Sequence, residues 1–137
     1  MTERDPMAHV APPRTRTQVI LDQYGVALSV VMLGFGLWQW AVILGAIPGG
    51  PLDQMTTAWA AVTIHMAVVD LVAAVGLWLR VAGGQVLWIY SALFETALHT
   101  VFLSTFGPNI SVVAFHLLAL AVFFALTIAA RRSRPRS

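Results

Sequence analysis

Four apolar runs, at 24–47, 56–79, 86–106 and 110–130, alternate along this chain with short stretches that hold every proline and nearly every formal charge. A helix rises about 1.5 Å per residue, so about 20 apolar residues cross a hydrocarbon core roughly 30 Å thick, and each run is long enough to do so. The breaks between runs carry stop signals: Pro48, Gly49, Gly50 and Pro51 after the first, Arg80 with Gly83 and Gly84 after the second, Gly107 and Pro108 after the third. None of the intervening loops is long enough to hold a soluble domain, so neighbouring runs are expected to lie antiparallel. The predicted fold is therefore all-α, a four-helix transmembrane bundle in up-down-up-down order. Residues 20–131 form the membrane domain in this reading, 1–19 a flexible cytoplasmic segment and 132–137 a basic cytoplasmic tail. The first 19 residues lack an apolar core and lead into a run too long for a signal peptide, so no cleavage is expected.

Composition sharpens this picture by exclusion. Of the 137 residues, 58% are hydrophobic and 10% charged, against roughly 25% charged in an average soluble domain. The absence of cysteine removes disulfides, thiolate metal sites, iron–sulfur clusters and thiol nucleophiles. The net charge of +2 does not point to nucleic acid, because the basic residues flank apolar runs instead of interleaving with aromatics on a soluble domain.

All eight basic residues fall on one side of the predicted topology: Arg4, Arg14 and Arg16 before the first run, Arg80 between the second and third, and Arg131, Arg132, Arg134 and Arg136 after the fourth. Loops rich in arginine and lysine stay in the cytoplasm, which places both termini inside and the 48–53 and 107–109 loops outside. Trp40 and Trp59 then lie towards one interface, and Trp78, Trp88, Tyr24 and Tyr90 towards the other, as anchoring belts.

Five ionisable residues lie within the apolar runs: His65, Asp70, Glu95, His99 and His116. A charged carboxylate at the centre of a bilayer costs at least about 2.5 kcal/mol, so each acid needs a partner, a proton or an inward position. Glu95 and His99 are one turn apart and share a face with Ser91 and Ala92. Asp70 shares a face with Ala60, Thr63, Ala67 and Ala74, the small residues that let transmembrane helices approach closely. His65 sits roughly 140° around the helix from Asp70, which separates the two. Asp70 and Glu95 are expected inside the bundle on adjacent helices, with His99 the nearest proton acceptor. Three roles fit such a layer. One is hydrogen bonding among its groups to fix helix pairing, a second is a proton or ion path, and a third is ligation of a metal or haem by His65, His99 and His116. No C-x-x-C-H, H-E-x-x-H or other ligand motif accompanies the histidines, so no cofactor is expected. Gly34, Gly36 and Gly76 suggest close helix contact or local bending, and Gln39 is either a member of the polar layer or an interfacial amide.

The segment from Trp59 through His65 and Asp70 to Leu79, followed by Gly83, Gly84 and a tryptophan-bearing third run ending at Phe106 and Gly107, resembles an uncharacterised family of small four-span bacterial inner-membrane proteins. The similarity covers the first three runs, with Gly36-Leu37-Trp38-Gln39-Trp40 in keeping. It implies a multi-pass location in a bacterial inner membrane and no established activity, cofactor or catalytic residue; Asp70 and His99 match its pattern better than His65 and His116. Without a soluble domain, nucleotide loop or nucleophile arrangement, the leading expectation is a non-enzymatic accessory, assembly or interaction subunit. Its expected partners are the lipid bilayer and either another membrane protein or further copies of itself. The alternative is a small proton-coupled transporter, or a haem- or metal-binding protein built on the polar layer.

Overall fold

The computed structural model describes residues 14–47 and 52–133. Among these residues the chain is helical: α1 Arg16–Ile43, a 3₁₀ turn Leu52–Gln54, α2 Thr57–Trp78, α3 Ala82–Thr100, a short α4 Leu103–Phe106 and α5 Ile110–Arg132. The expectations for Arg4, Pro48, Gly49, Gly50, Pro51, Arg134 and Arg136 lie outside the described residues.

Local chemistry accounts for where the helices begin. α1 starts earlier than its apolar run because Thr15 and Gln18 form a capping box, Gln18 N–H donating to Thr15 Oγ1 at 3.3 Å and Thr15 N–H to Gln18 Oε1 at 2.9 Å. Thr56 caps α2 through Trp59 N–H, and Asn109 caps α5 through Val112 N–H.

The endings depart from expectation in two places. α1 stops at Ile43, ahead of the Pro48 to Pro51 break, because Gly45 takes a left-handed φ of 69° and Ala46 N–H reaches back to the Ala41 carbonyl. α2 closes in the same way on a non-glycine residue. Arg80 has φ 58°, with Arg80 N–H on the Leu77 carbonyl and Val81 N–H on the Gly76 carbonyl. Gly83 and Gly84, expected to make this turn, are instead in the first turn of α3. Gly84 serves a close approach: a Cβ there would fall 2.1 Å from Gly76 C, and one on Gly76 would fall 2.5 Å from Gly84 Cα.

The third apolar run, expected to be continuous to 106, breaks after Thr100. Thr96 Oγ1 donates to the Ala92 carbonyl and Thr100 Oγ1 to the Thr96 carbonyl, both at 2.7 Å, and such back-bonding bends helices. Gly107, at φ 70°, then ends α4.

Three helices, α1, α2 and α5, are long and apolar enough to cross a membrane. The fourth, α3, is not among them, since Gln85, Ser91, Glu95, Thr96, His99 and Thr100 dilute its hydropathy. The long helices contact one another in the cyclic order α1, α2, α3, α5 and back to α1. Large apolar side chains such as Leu37, Val75 and Leu118 face outward, more than half exposed, while Asp70, Ser91 and His116 are buried inside. This inverts the arrangement of a water-soluble helical protein, whose outer faces are polar. Around the buried polar groups the core is formed by Leu28 and Met32, Ala73, Ala74 and Leu77, Trp88 and Ala92, and Ala119, Leu120 and Phe123.

Two expected belt residues belong to this interior. Trp88 is wholly buried against Phe123, with ring centroids 5.2 Å apart, and Tyr24 donates its hydroxyl to the Ala119 carbonyl at 2.8 Å. At one end of the molecule Asp22 accepts from Arg14 at 2.8 Å and Arg80 at 3.4 Å, and the Thr15 and Ser133 hydroxyls lie 3.3 Å apart. The start of α1, the α2–α3 turn and the end of α5 therefore meet there.

Candidate functional site

Four positions at near-heptad spacing on α3, Gly84, Trp88, Ser91 and Glu95, make its inward stripe. The first three are buried, and Glu95 keeps 19% of its side chain exposed. This stripe gathers the polar layer. Ser91 Oγ donates to Asp70 Oδ1 of α2 at 2.7 Å, and Gln39 Nε2 of α1 reaches Asp70 Oδ2 at 3.3 Å. One turn further along α3, Glu95 Oε2 lies 2.6 Å from His116 Nε2 of α5. Every long helix thus contributes a polar side chain.

The five expected site residues meet different fates in the folded chain. Asp70 is 1% exposed and is held by a hydroxyl and an amide. Glu95 is hydrogen-bonded neither to Asp70 nor to His99; its partner is the buried imidazole of His116, delivered across the interior by α5. His99, expected as the proton acceptor, instead donates from Nδ1 to the Gly107 carbonyl at 2.9 Å and so ties α3 to the loop after α4. His65 pairs with the Tyr90 hydroxyl at 2.9 Å, beside Phe94. The three histidines are therefore not brought together as a ligand set. Among the described residues no three His, Cys, Asp or Glu side chains are grouped to hold a metal ion. The reason is rotational, since similar depth on three helices does not make their side chains point to one centre.

Hydrogen-bond bookkeeping limits what the Glu95–His116 pair can carry. His116 Nδ1 is buried with no partner. An imidazolium would place an unpaired N–H there, and so would the tautomer protonated on Nδ1; a buried donor left unmade costs about 1–3 kcal/mol. With its one proton on Nε2, donating to Glu95, the imidazole leaves Nδ1 as an unpaired acceptor instead of an unpaired donor. In that tautomer the pair is a neutral imidazole beside a carboxyl group.

Glu95 also opens onto a cleft of about 570 Å³ between α1, α2 and α3. Gln39, Glu95 and His99 supply polar lining, Thr63 and Gln54 add two further polar side chains, and the aromatic walls are Trp38 and Trp59. Met55 and Met66 contribute thioethers, with Thr63 Oγ1 3.9 Å from Met55 Sδ. Trp59 is braced edge-on by Phe106 of α4 at 4.9 Å, so the break in the third apolar run helps to shape the wall. Asp70 and Ser91 sit behind Gln39, and His116 behind Glu95. A reading of the sequence singles out Gln39 and Glu95 but not Trp38, Met55, Met66 or Gln54. Adjacency of Trp38 to Gln39 is the one available signal, and an interfacial tryptophan gives the same signal.

Residues 19–134 match the model of a family of unknown function, DUF6163. No curated protein and no solved structure matches the chain.

Proposed function

The chain belongs to the DUF6163 family, whose function is unknown, and from its own site we propose that it is a membrane protein exchanging protons between the cleft and a buried Glu95–His116 pair. This is the activity expected of a small proton-coupled carrier. In this reading α1, α2, α3 and α5 all cross the bilayer as an antiparallel bundle in a bacterial inner membrane, with both termini cytoplasmic. The cleft then opens towards the outer side, and α3 is tolerated as a span because Ser91 and Glu95 face inward.

The observation that carries the proposal is the dual position of Glu95. It lines the cleft and is 2.6 Å from an imidazole that is 1% exposed, so one carboxyl group borders both the cleft and the buried interior. Support for the orientation comes from the meeting of Arg14 and Arg80 on Asp22 beside the end of α5, which gathers basic residues at one end. An accessory or assembly subunit requires outer helix faces for a partner and has no need of an internal cleft; the cleft favours the carrier.

Infrared difference spectroscopy of the purified protein over a pH cycle tests this directly. A carboxyl C=O band that titrates, disappears in Glu95→Gln and shifts in His116→Asn is expected. A carboxyl difference spectrum that is identical in wild type and Glu95→Gln would overturn the proposal.

A further inference from the structure

The cleft has a chemical character more specific than proton exchange requires. Among the described residues, Glu95 is the one carboxylate in its lining, and neither arginine nor lysine lines it. Arg14 and Arg80 are engaged with Asp22 at the end where α1 begins, and Arg131 and Arg132 end α5. His99 lines the cleft but donates its Nδ1 proton to the Gly107 carbonyl, which leaves Nε2 to serve as an acceptor when the ring is neutral. His116 stands behind Glu95, its Nε2 2.6 Å from the carboxyl oxygen, and Asp70 behind Gln39 is occupied by Ser91. An ionised Glu95 beside a neutral His116 gives the cleft one negative charge.

Around that charge the walls are largely apolar and polarizable. Two indoles and the Met55 side chain are the kind of surface that attracts a diffuse cation. The volume is in the range of sites that enclose drug-sized molecules, roughly 300–1,000 Å³. From these features together we infer that the cleft binds a bulky lipophilic organic cation, with Glu95 as counter-ion and Trp38 and Trp59 as aromatic walls. The inference rests on the proposed carrier reading for its ionisable Glu95 and adds to it the substrate class. The cation and the proton then compete for the same carboxylate, which is the minimum requirement for coupling one to the other.

The test compares two probes of the same shape and opposite charge, tetraphenylphosphonium and tetraphenylborate, binding to the full chain in mild detergent. The expected result is saturable binding of tetraphenylphosphonium, weakened at least about tenfold in Glu95→Gln and retained in Glu95→Asp, with no saturable binding of tetraphenylborate. Trp59→Ala, which leaves the Glu95–His116 pair intact, is expected to weaken tetraphenylphosphonium binding as well, so the inference does not depend on a carboxyl variant that fails to fold. Equal binding of the two probes, or unchanged tetraphenylphosphonium binding in Glu95→Gln, would overturn it. Loss of the cation result while the Glu95 infrared band still titrates removes this inference alone. A band that does not depend on Glu95, with cation binding intact, removes the proton-exchange proposal instead.

Discussion

Replacing Gly84 by alanine adds one methyl group at the tightest point between α2 and α3. An ideal Cβ there would lie 2.1 Å from Gly76 C and 2.4 Å from Leu77 N, both backbone atoms that cannot rotate away. Carbon atoms pack at about 3.5–4.0 Å, so the helices must separate by more than about 1 Å. Overpacking of this kind costs about 1–3 kcal/mol. The displacement also bears on the site, because Ser91 lies two turns along the same face of α3 and its 2.7 Å bond to Asp70 crosses the same interface. Gly83→Ala provides the control, since a Cβ at Gly83 meets nothing within 4 Å and alanine is the better helix former by about 1 kcal/mol. Reversible unfolding in mixed micelles should show Gly84→Ala destabilised by about 1–3 kcal/mol and Gly83→Ala unchanged or slightly more stable. Equal stability of the two variants would refute the close contact as the determinant of α2–α3 packing.

Other expectations follow from single contacts. Ser91→Ala removes the hydroxyl donor of buried Asp70 and should cost about 1–3 kcal/mol in the same unfolding assay, whereas Thr100→Ala, which frees only an exposed back-bond, should be close to neutral. Gly45→Val places a branched side chain at a left-handed φ of 69° and should destabilise by at least about 1–2 kcal/mol; Arg80→Gly, which relieves φ 58° at the loss of an exposed ion pair, should be neutral or stabilising by up to about 1 kcal/mol. Because the chain has no cysteine, Thr63→Cys introduces a single thiol in the cleft. A membrane-impermeant thiol reagent added to intact cells should label it from the periplasmic side, while a buried Ala67→Cys should stay unlabelled. Equal labelling of both thiols, or labelling of Thr63→Cys from the cytoplasmic side alone, would contradict the outward-opening cleft.

The features legible in the sequence are those set by local chemistry. Apolar length marked the helices, and Gly107 with Pro108 marked a real break, because these signals act through the residue's own backbone. The inward position of Asp70 followed from the small residues on its face, two of which, Ala67 and Ala74, are buried with it. What stayed hidden depends on how helices are rotated against one another. The sequence marks His116 as an ionisable residue within an apolar run but not its partner; only packing chose Glu95, and it turned His99 towards the Gly107 carbonyl. Gly83 and Gly84 read as a turn because glycine permits a left-handed φ, yet Arg80 takes that conformation and Gly84 is needed for the absence of its side chain. Trp38, Trp59 and Trp88 are alike in sequence context, and tertiary packing makes two of them cleft walls and the third core.

The most direct test of the central claim is nuclear magnetic resonance of the ring nitrogens in protein labelled with ¹⁵N-histidine, a tractable spectrum because the chain has four histidines. His116 is expected to carry its proton on Nε2 and none on Nδ1 while Glu95 is ionised, and both nitrogen shifts are expected to move when Glu95 takes up a proton. In Glu95→Gln the same nitrogens should lose that transition. A His116 signal with its proton on Nδ1, or one that titrates identically in wild type and Glu95→Gln, would contradict the account.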